Sequence, residues 1–266
     1  MGQNFLSSPP AARMIVDRTG ISQDSRVLEI GPGLGALTIP IAQKTRQVIA
    51  VEKDRRLVPL LRQELENHGI DWVEILNQDV MKTDIKAIAG DKKLVVISNL
   101  PYNISSQILF RLVQERACIE KAFLMFQKEL ADRILAPPGK KAYSRLSAVA
   151  QYAADIECIA NVGPAAFFPK PVVDSTILGF DFKGVSTVSE TTEILLFTVI
   201  KAAFSKRRKS LKNALVGQDL GLEKHAIAQA LSCARISPER RAETLTVPEF
   251  LSLTQAVQTI FTGKNI

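Results

Sequence analysis

Residues 26–35 read Arg26-Val27-Leu28-Glu29-Ile30-Gly31-Pro32-Gly33-Leu34-Gly35. A short apolar run ends in a glycine-rich turn, and a helical pattern through Leu37, Ile41 and Ala42 follows. Strand, tight turn and helix in that order open a parallel α/β unit. Glycines at such a turn let backbone N–H groups approach a ligand, and the helix start beyond favours an anionic group. Alone the signal is weak, because a plain strand–helix turn reads the same way. The spacing is G-x-G-x-G rather than the dinucleotide pattern G-x-G-x-x-G, although Ala36 can stand in for the last glycine.

Outward from this turn the alternation continues. Gln47–Val51, Val73–Leu76, Leu94–Ser98 and Ala122–Phe126 read as strands, with helices from Asp54, over about 104–115 and over 127–136. Pro59 is awkward inside the helix opened at Asp54, which starts later or kinks there. Upstream, residues 8–20 form a helix capped by Ser8, with Pro9 in its first turn and Gly20 at its end. Pro137-Pro138-Gly139 is a loop, Tyr143–Tyr152 is helical and 155–162 is strand-like. Thr176–Phe182 alternates in the manner of an edge strand. The pattern implies an α/β fold, a parallel sheet with helices on both faces. A polar Ser/Thr-rich linker at 183–190 divides residues 1–184 from a helical domain at 190–266, with helices at 193–204, about 207–216, 225–231 and 247–260.

Composition sets the limits. The chain has 266 residues, 46% of them hydrophobic and 23% charged, with 34 Lys+Arg against 27 Asp+Glu for a net charge of +7. That is ample for a core and argues against disorder. Six basic residues and no acidic one fall within 201–212 (Lys201, Lys206, Arg207, Arg208, Lys209 and Lys212), so the excess is mainly one local patch suited to RNA phosphates. Its bland reading is a solvated charge run. Cys118, Cys158 and Cys233 lie far apart and the two histidines lack ligand spacing, which excludes a disulfide framework and predicts no metal. No apolar run is long enough to span a membrane, and the start MGQNFLSSPP lacks a signal pattern; a reducing cytoplasm is the expected compartment.

Four features fall at the ends of consecutive strands, where open α/β sheets bind ligands. The first is the glycine turn with Gly31 and Gly33. The second is Glu52, whose carboxylate can accept from both hydroxyls of a ribose. The third is Asp79, which can accept from an adenine amine or simply cap a helix. The fourth, Asn99-Leu100-Pro101-Tyr102, is the informative one. An adenine 6-amino group is a poor nucleophile because its lone pair is delocalised into the ring. The Asn99 amide oxygen and the Leu100 carbonyl can accept its two N–H bonds and return density to nitrogen. Pro101 fixes the turn, and the Tyr102 ring can stack on the base.

Together with Gly2-Gln3-Asn4-Phe5-Leu6, with 167–175 (Phe-Phe-Pro-Lys-Pro-Val-Val-Asp-Ser) and with Ala203-Phe204-Ser205-Lys206-Arg207-Arg208-Lys209, these motifs resemble the KsgA-type ribosomal RNA adenine dimethyltransferases over essentially the whole chain. The resemblance implies a Rossmann-like S-adenosylmethionine-dependent methyltransferase domain, its seven-stranded sheet ending in an antiparallel strand, and a small all-helical C-terminal domain. It implies dimethylation of two adjacent adenosines near the 3′ end of small-subunit rRNA by a monomer acting on the immature subunit. By that likeness Asn4, Leu6, Gly31, Gly33, Glu52, Asp79 and Asn99 bind S-adenosyl-L-methionine. Asn99 and Leu100 hold the amine, Pro101 holds their turn, and Tyr102 and Phe167 hold the ring; Phe168 is left open. Lys206, Arg207, Arg208 and Lys209 bind RNA. The role of Asn4 rests on the likeness alone. Members of that family carry a basic arm ahead of the Gly-Gln-Asn-Phe-Leu segment, which here starts at Gly2.

Rival readings are an erythromycin-resistance-type methylase of large-subunit rRNA, a DNA adenine methylase, a non-catalytic assembly factor on the same fold, and a dehydrogenase. The last explains the glycines and Glu52 but not residues 99–102.

Overall fold

The computed structural model describes residues 4–184, 188–206, 208–217 and 220–263. Gly2 and Gln3 of the opening motif, Arg207 of the basic run and part of the linker lie outside them. Contacts divide the chain into two compact units. One comprises Met1–Ala131 and Ala153–Gly184, the other Asp132–Tyr152 and Val185–Ile266.

The first unit begins with a two-residue strand, β1 (Phe5–Leu6), and helix α1 (Pro9–Arg18). Ser8 caps α1 by accepting from the Ala11 N–H, and Gly20 ends it at φ +66°. Then come β2 (Val27–Ile30), α2 (Thr38–Lys44), β3 (Val48–Glu52) and α3 (Leu57–Asn67). Because α3 starts at Leu57, Pro59 falls in its first turn, where no intrahelical donor is needed. They are followed by β4 (Val73–Asn77), the short α4 (Ile85–Ala89), β5 (Leu94–Asn99), α5 (Ser105–Gln114) and β6 (Ile119–Gln127). Helices α6 (Lys128–Leu135) and α7 (Arg145–Ala153) precede β7 (Ala154–Val162), β8 (Phe167–Phe168) and β9 (Ser175–Phe182).

Seven strands form one sheet in the order β4-β3-β2-β5-β6-β9-β7. β2 pairs in parallel with β3 and β5, and β9 runs antiparallel to both its neighbours, β6 and β7. Strands β2 and β3 are buried along their whole length, as β-branched and aliphatic runs require when helices cover both faces. Val27, Ile41, Leu61, Ile97 and Ile15 share one core cluster. One expectation changes here. Residues 176–182 read as an edge strand, but β9 is interior and β7 forms the edge. All but one of the β9 residues are buried, and Gly179 allows the close approach of Ile159 from β7. The alternation reported a sheet with apolar packing on both faces, not an open side.

The second unit is helical: α8 (Glu190–Ala203), α9 (Leu211–Ala214), α10 (Lys224–Cys233) and α11 (Val247–Phe261). Residues 132–152 pack with these helices, whereas the sequence division placed them with the sheet. The reason is aromatic. Tyr143 packs on Phe204, Phe204 on Phe250, and Tyr152 edge-on to Phe197, while the Tyr152 hydroxyl donates to Glu193 at 2.6 Å. The α9 segment is a single turn, shorter than the 207–216 helix read from sequence. Thr246 and Glu249 close a reciprocal capping box at the start of α11. No described helix is long and apolar enough to cross a membrane.

Candidate active site

The strand order reverses between β2 and β5. The chain leaves β2 for β3 and β4, then crosses back to β5 on the other side, and such a switch point leaves a crevice beyond the strand ends. A cavity of about 620 Å³ in the first unit is lined there by Asn4, Leu6, Glu29, Gly31, Gly33 and Asn99, among others. That is ample for a nucleoside-sized ligand.

Gly31, Gly33 and Gly35 all have positive φ, which glycine adopts without steric cost. At Gly33 the demand is double, since a Cβ would lie 3.1 Å from Cδ1 of Phe5. At Gly31 a Cβ would meet nothing within 4 Å, so the backbone faces open space. Glu52 ends β3 and is 2% exposed, so it is no solvated strand-end charge. Its Oε2 accepts from the Gly33 N–H at 3.2 Å and its Oε1 from the Asp54 N–H at 2.7 Å, which holds the carboxylate in one orientation with lone pairs to spare. Asn77 braces the same strand end by donating to the Glu52 carbonyl at 2.8 Å.

Asp79 caps the turn of tight helix at Val80–Lys82 by accepting from the Met81 N–H at 2.9 Å, and it pairs with Lys53 at 2.8 Å. The Lys53 ammonium and the Met81 N–H hold its carboxyl below the usual range. It follows β4 but does not line the cavity.

Asn99 ends β5. Its side-chain NH2 donates to the Asn4 carbonyl at 3.2 Å. The amide is thereby oriented, with its oxygen left as an acceptor. Leu100 is buried, Ile104 closes a turn onto the Pro101 carbonyl at 3.1 Å, and the Tyr102 hydroxyl meets the Ser175 hydroxyl at 2.9 Å. That last bond ties the 99–102 turn to the end of the 167–175 motif.

The two phenylalanines separate. β1 and β8 form a two-stranded ladder that pairs Phe5 with Phe168 and Leu6 with Phe167. Phe167 is 4% exposed and belongs to the core cluster, while Phe168 is 73% exposed and lines the cavity. The cavity thus gathers Asn4, Leu6, Gly31, Gly33 and Asn99. Glu52 reaches it through Gly33, and Leu100, Pro101, Tyr102, Asp79 and Phe167 lie outside its lining. Sequence reasoning assigned no role to Phe5, Phe168 or the Glu29 side chain. The apolar Phe5 and Leu6 ahead of a capped helix were the available hint that the N-terminal segment packs at the site.

In the helical unit, Lys206 and Lys209 line a cavity of about 340 Å³ with Asn213, Val216 and Lys224, and Arg208 is exposed. Among the described residues no carboxylate pairs with Lys206, Lys209 or Lys224, whereas Lys212 is paired with Glu239. No group of His, Cys, Asp and Glu suited to a metal ion occurs among the described residues.

The first cavity fits an extended nucleoside that carries a positive charge. It has a bare glycine backbone and a buried carboxyl, Glu29, whose Oε2 has no hydrogen-bond partner, and behind Gly33 stands the Glu52 carboxylate, held by main-chain N–H groups. With a seven-stranded sheet of this order and one antiparallel strand, these features define a Rossmann-like S-adenosylmethionine-dependent methyltransferase. Residues 1–259 match the ribosomal RNA adenine dimethylase family. The chain is 50% identical over 266 residues to a protein of Desulforapulum autotrophicum named Ribosomal RNA small subunit methyltransferase A, covering 100% of this chain and 94% of that one. It is similar to the crystal structure of a dimethyladenosine transferase from Plasmodium falciparum, with TM-score 0.78, 26% identity and coverage of 97% and 98%. The crystal structure of the 23S rRNA methyltransferase ErmE shares the fold, with TM-score 0.69, 24% identity and coverage of 96% and 100%. The chain belongs to the ribosomal RNA adenine dimethylase family and is an S-adenosylmethionine-dependent enzyme.

Proposed function

We propose that this enzyme transfers methyl groups to the 6-amino groups of two adjacent adenosines near the 3′ end of small-subunit (16S) rRNA, in step with assembly of that subunit. The observation that carries the reading is the Asn99–Asn4 hydrogen bond. With its NH2 engaged, Asn99 presents Oδ1 as the acceptor an adenine amine requires. The small subunit is favoured over the large one by the name of the relative that shares half of its residues.

The bound cofactor supplies an electrophilic methyl group. Asn99 Oδ1 and the Leu100 carbonyl accept the two amine N–H bonds, so electron density returns to nitrogen and its lone pair is aimed for in-line attack. Pro101 holds their turn. Catalysis is then positioning plus polarisation, and no strong base is needed, because the amine proton becomes acidic once the new bond forms. A singly methylated amine still carries one N–H for Asn99 or Leu100, which permits the second transfer. The target base leaves its stack to reach these groups, and Tyr102 and Phe167 are assigned to its ring. Asn4, Leu6, Gly31, Gly33, Glu52, Asp79 and Asn99 are assigned to the cofactor, with Glu52 on the ribose.

The helical domain is assigned the RNA backbone through Lys206, Arg207, Arg208 and Lys209. A monomer working in the cytoplasm on the immature subunit completes the reading. The test is methyl transfer to unmodified small and large subunits in parallel, with digested nucleosides resolved by mass spectrometry. Dimethyladenosine is expected from the small subunit alone. Its absence there, or its appearance in the large subunit only, overturns the assignment.

A further inference from the structure

Asp79 stands where little holds it. It follows β4, the edge strand of the sheet, and lies outside the cavity lining, with its side chain 23% exposed. The Asp79 carbonyl accepts from the Lys82 N–H at 2.8 Å and from the Thr83 hydroxyl at 3.0 Å. Both bonds are internal to the 79–83 turn and leave its place on the sheet open. Val80 packs inward, but apolar burial has no direction. The directed restraint comes from another element. Arg111 on α5 reaches the turn with both terminal nitrogens: Nη1 donates to the Val80 carbonyl and Nη2 to the Thr83 carbonyl. Donors fixed in one plane meet two carbonyls of one turn, which sets its rotation as well as its position.

This is a costly place for a guanidinium. Arg111 is half-buried, and its Nε is buried without a hydrogen-bond partner. A hydrocarbon side chain on α5 would avoid that penalty. What the cation brings is a link. α5 begins at Ser105, whose hydroxyl donates to the Tyr102 carbonyl at 3.0 Å. The same helix therefore closes the 99–102 turn and, less than two turns further on, grips the 79–83 turn. Within that turn the Asp79 carboxylate is already aimed by the Met81 N–H and by Lys53. Arg111 adds a fixed place for the whole turn relative to Asn99.

We propose that Arg111 is a positioning residue for the adenine end of the cofactor. By gripping the Val80 and Thr83 carbonyls it holds the Asp79 carboxylate where it accepts from the adenine 6-amino group. It acts through Asp79 and takes no part in the transfer itself. The inference rests on the assignment of Asp79 to the cofactor given above.

The test is calorimetry of the intact protein with S-adenosylhomocysteine and with its analogue in which hydrogen replaces the adenine 6-amino group. The native protein is expected to prefer the first by about tenfold, as one hydrogen bond to a charged acceptor gives. Arg111→Met is expected to lose most of that preference, binding S-adenosylhomocysteine about five- to tenfold more weakly and the analogue as before. In methyl transfer, KM for S-adenosylmethionine is expected to rise by the same factor, with kcat held within about twofold. A merely structural role would move both ligands and kcat together. Arg111→Lys keeps the charge, but one ammonium cannot span two carbonyls. It is expected to retain part of the preference, and it carries the test if the methionine variant does not fold. Equal loss for both ligands in either variant, an intact preference in Arg111→Met, or the full native preference in Arg111→Lys overturns the proposal. Asp79→Ala separates the two claims. If it leaves the preference intact, or the native protein shows none, the Asp79 placement fails and the proposal with it. If it abolishes the preference while Arg111→Met keeps it, only the Arg111 role fails.

Discussion

The side chain of Asn99 donates to the backbone carbonyl of Asn4 at 3.2 Å, joining positions 95 residues apart in the chain. Asn4 lies just ahead of β1, and β1 is held by β8 through the Phe5–Phe168 and Leu6–Phe167 pairs and by the Ser7 N–H donating to the Ala166 carbonyl at 2.8 Å. The orientation of the amide at the end of β5 is therefore set by the N-terminal segment and by the residues before β9.

Asn99→Ala removes the oriented acceptor. Methyl transfer is expected to fall by about two to three orders of magnitude, the usual cost of losing one polarising contact. Affinity for S-adenosylhomocysteine is expected to change by less than tenfold. Single-turnover transfer and calorimetry separate the two effects, and a wild-type transfer rate removes Asn99 from the polarising role.

Gly33→Ala and Gly31→Ala form a matched pair. Both place an L residue at positive φ, at a cost of about 1–2 kcal/mol. Only at Gly33 does the new methyl also press on the Phe5 ring. The Gly33 variant is expected to melt at the lower temperature, and the Gly31 variant to lose cofactor affinity with the smaller loss of stability. Equal melting temperatures would show that the Phe5 ring does not rest on Gly33.

Glu249 accepts from both terminal nitrogens of Arg240 and from the Thr246 N–H, and Arg240 is the main reason its carboxyl is lowered from 4.5 to about 2. A carboxyl more acidic in the folded state stabilises fully above its unfolded value, and that contribution fades as pH falls toward the folded one. Glu249→Gln is expected to lower the melting temperature at pH 7, with the gap from wild type closing between pH 4.5 and pH 2. A gap that persists at pH 2 assigns the effect to packing.

Lys206→Gln with Lys209→Gln removes two ammonium groups that have no carboxylate partner among the described residues from one cavity wall. If they meet RNA phosphates, the slope of log affinity against log salt is expected to drop by about 1–2. The same change placed at Lys44, which pairs with Asp17, serves as the control. An unaltered slope at Lys206 and Lys209 removes the cavity from the RNA interface.

Much of this molecule was legible in one dimension. Strand–turn–helix alternation rests on local periodicity and turn chemistry. The Gly31–Gly35 turn, the cap at Ser8 and the strands ending at Glu52 and Asn99 therefore lie within a residue or so of their expected places. Residue type at strand ends also carried the chemistry, since few side chains can polarise an amine. Three things needed the tertiary structure. Which of Phe167 and Phe168 lines the cavity depends on the side of the β1–β8 ladder each one faces, and both read alike as apolar. Whether β9 is edge or interior depends on its partners, because alternation records burial and not neighbours. The pairing of Asn4 with Asn99, and the burial of Glu29 Oε2 without a hydrogen-bond partner, arise from atoms brought together across long separations. Sequence by itself determined the main strand–helix alternation and the reaction class, because both follow from local pattern and residue chemistry, whereas the short β1, α4 and β8 were not read from it. Packing alone decided how the acceptor is aimed and which carboxyl oxygen is buried without a hydrogen-bond partner.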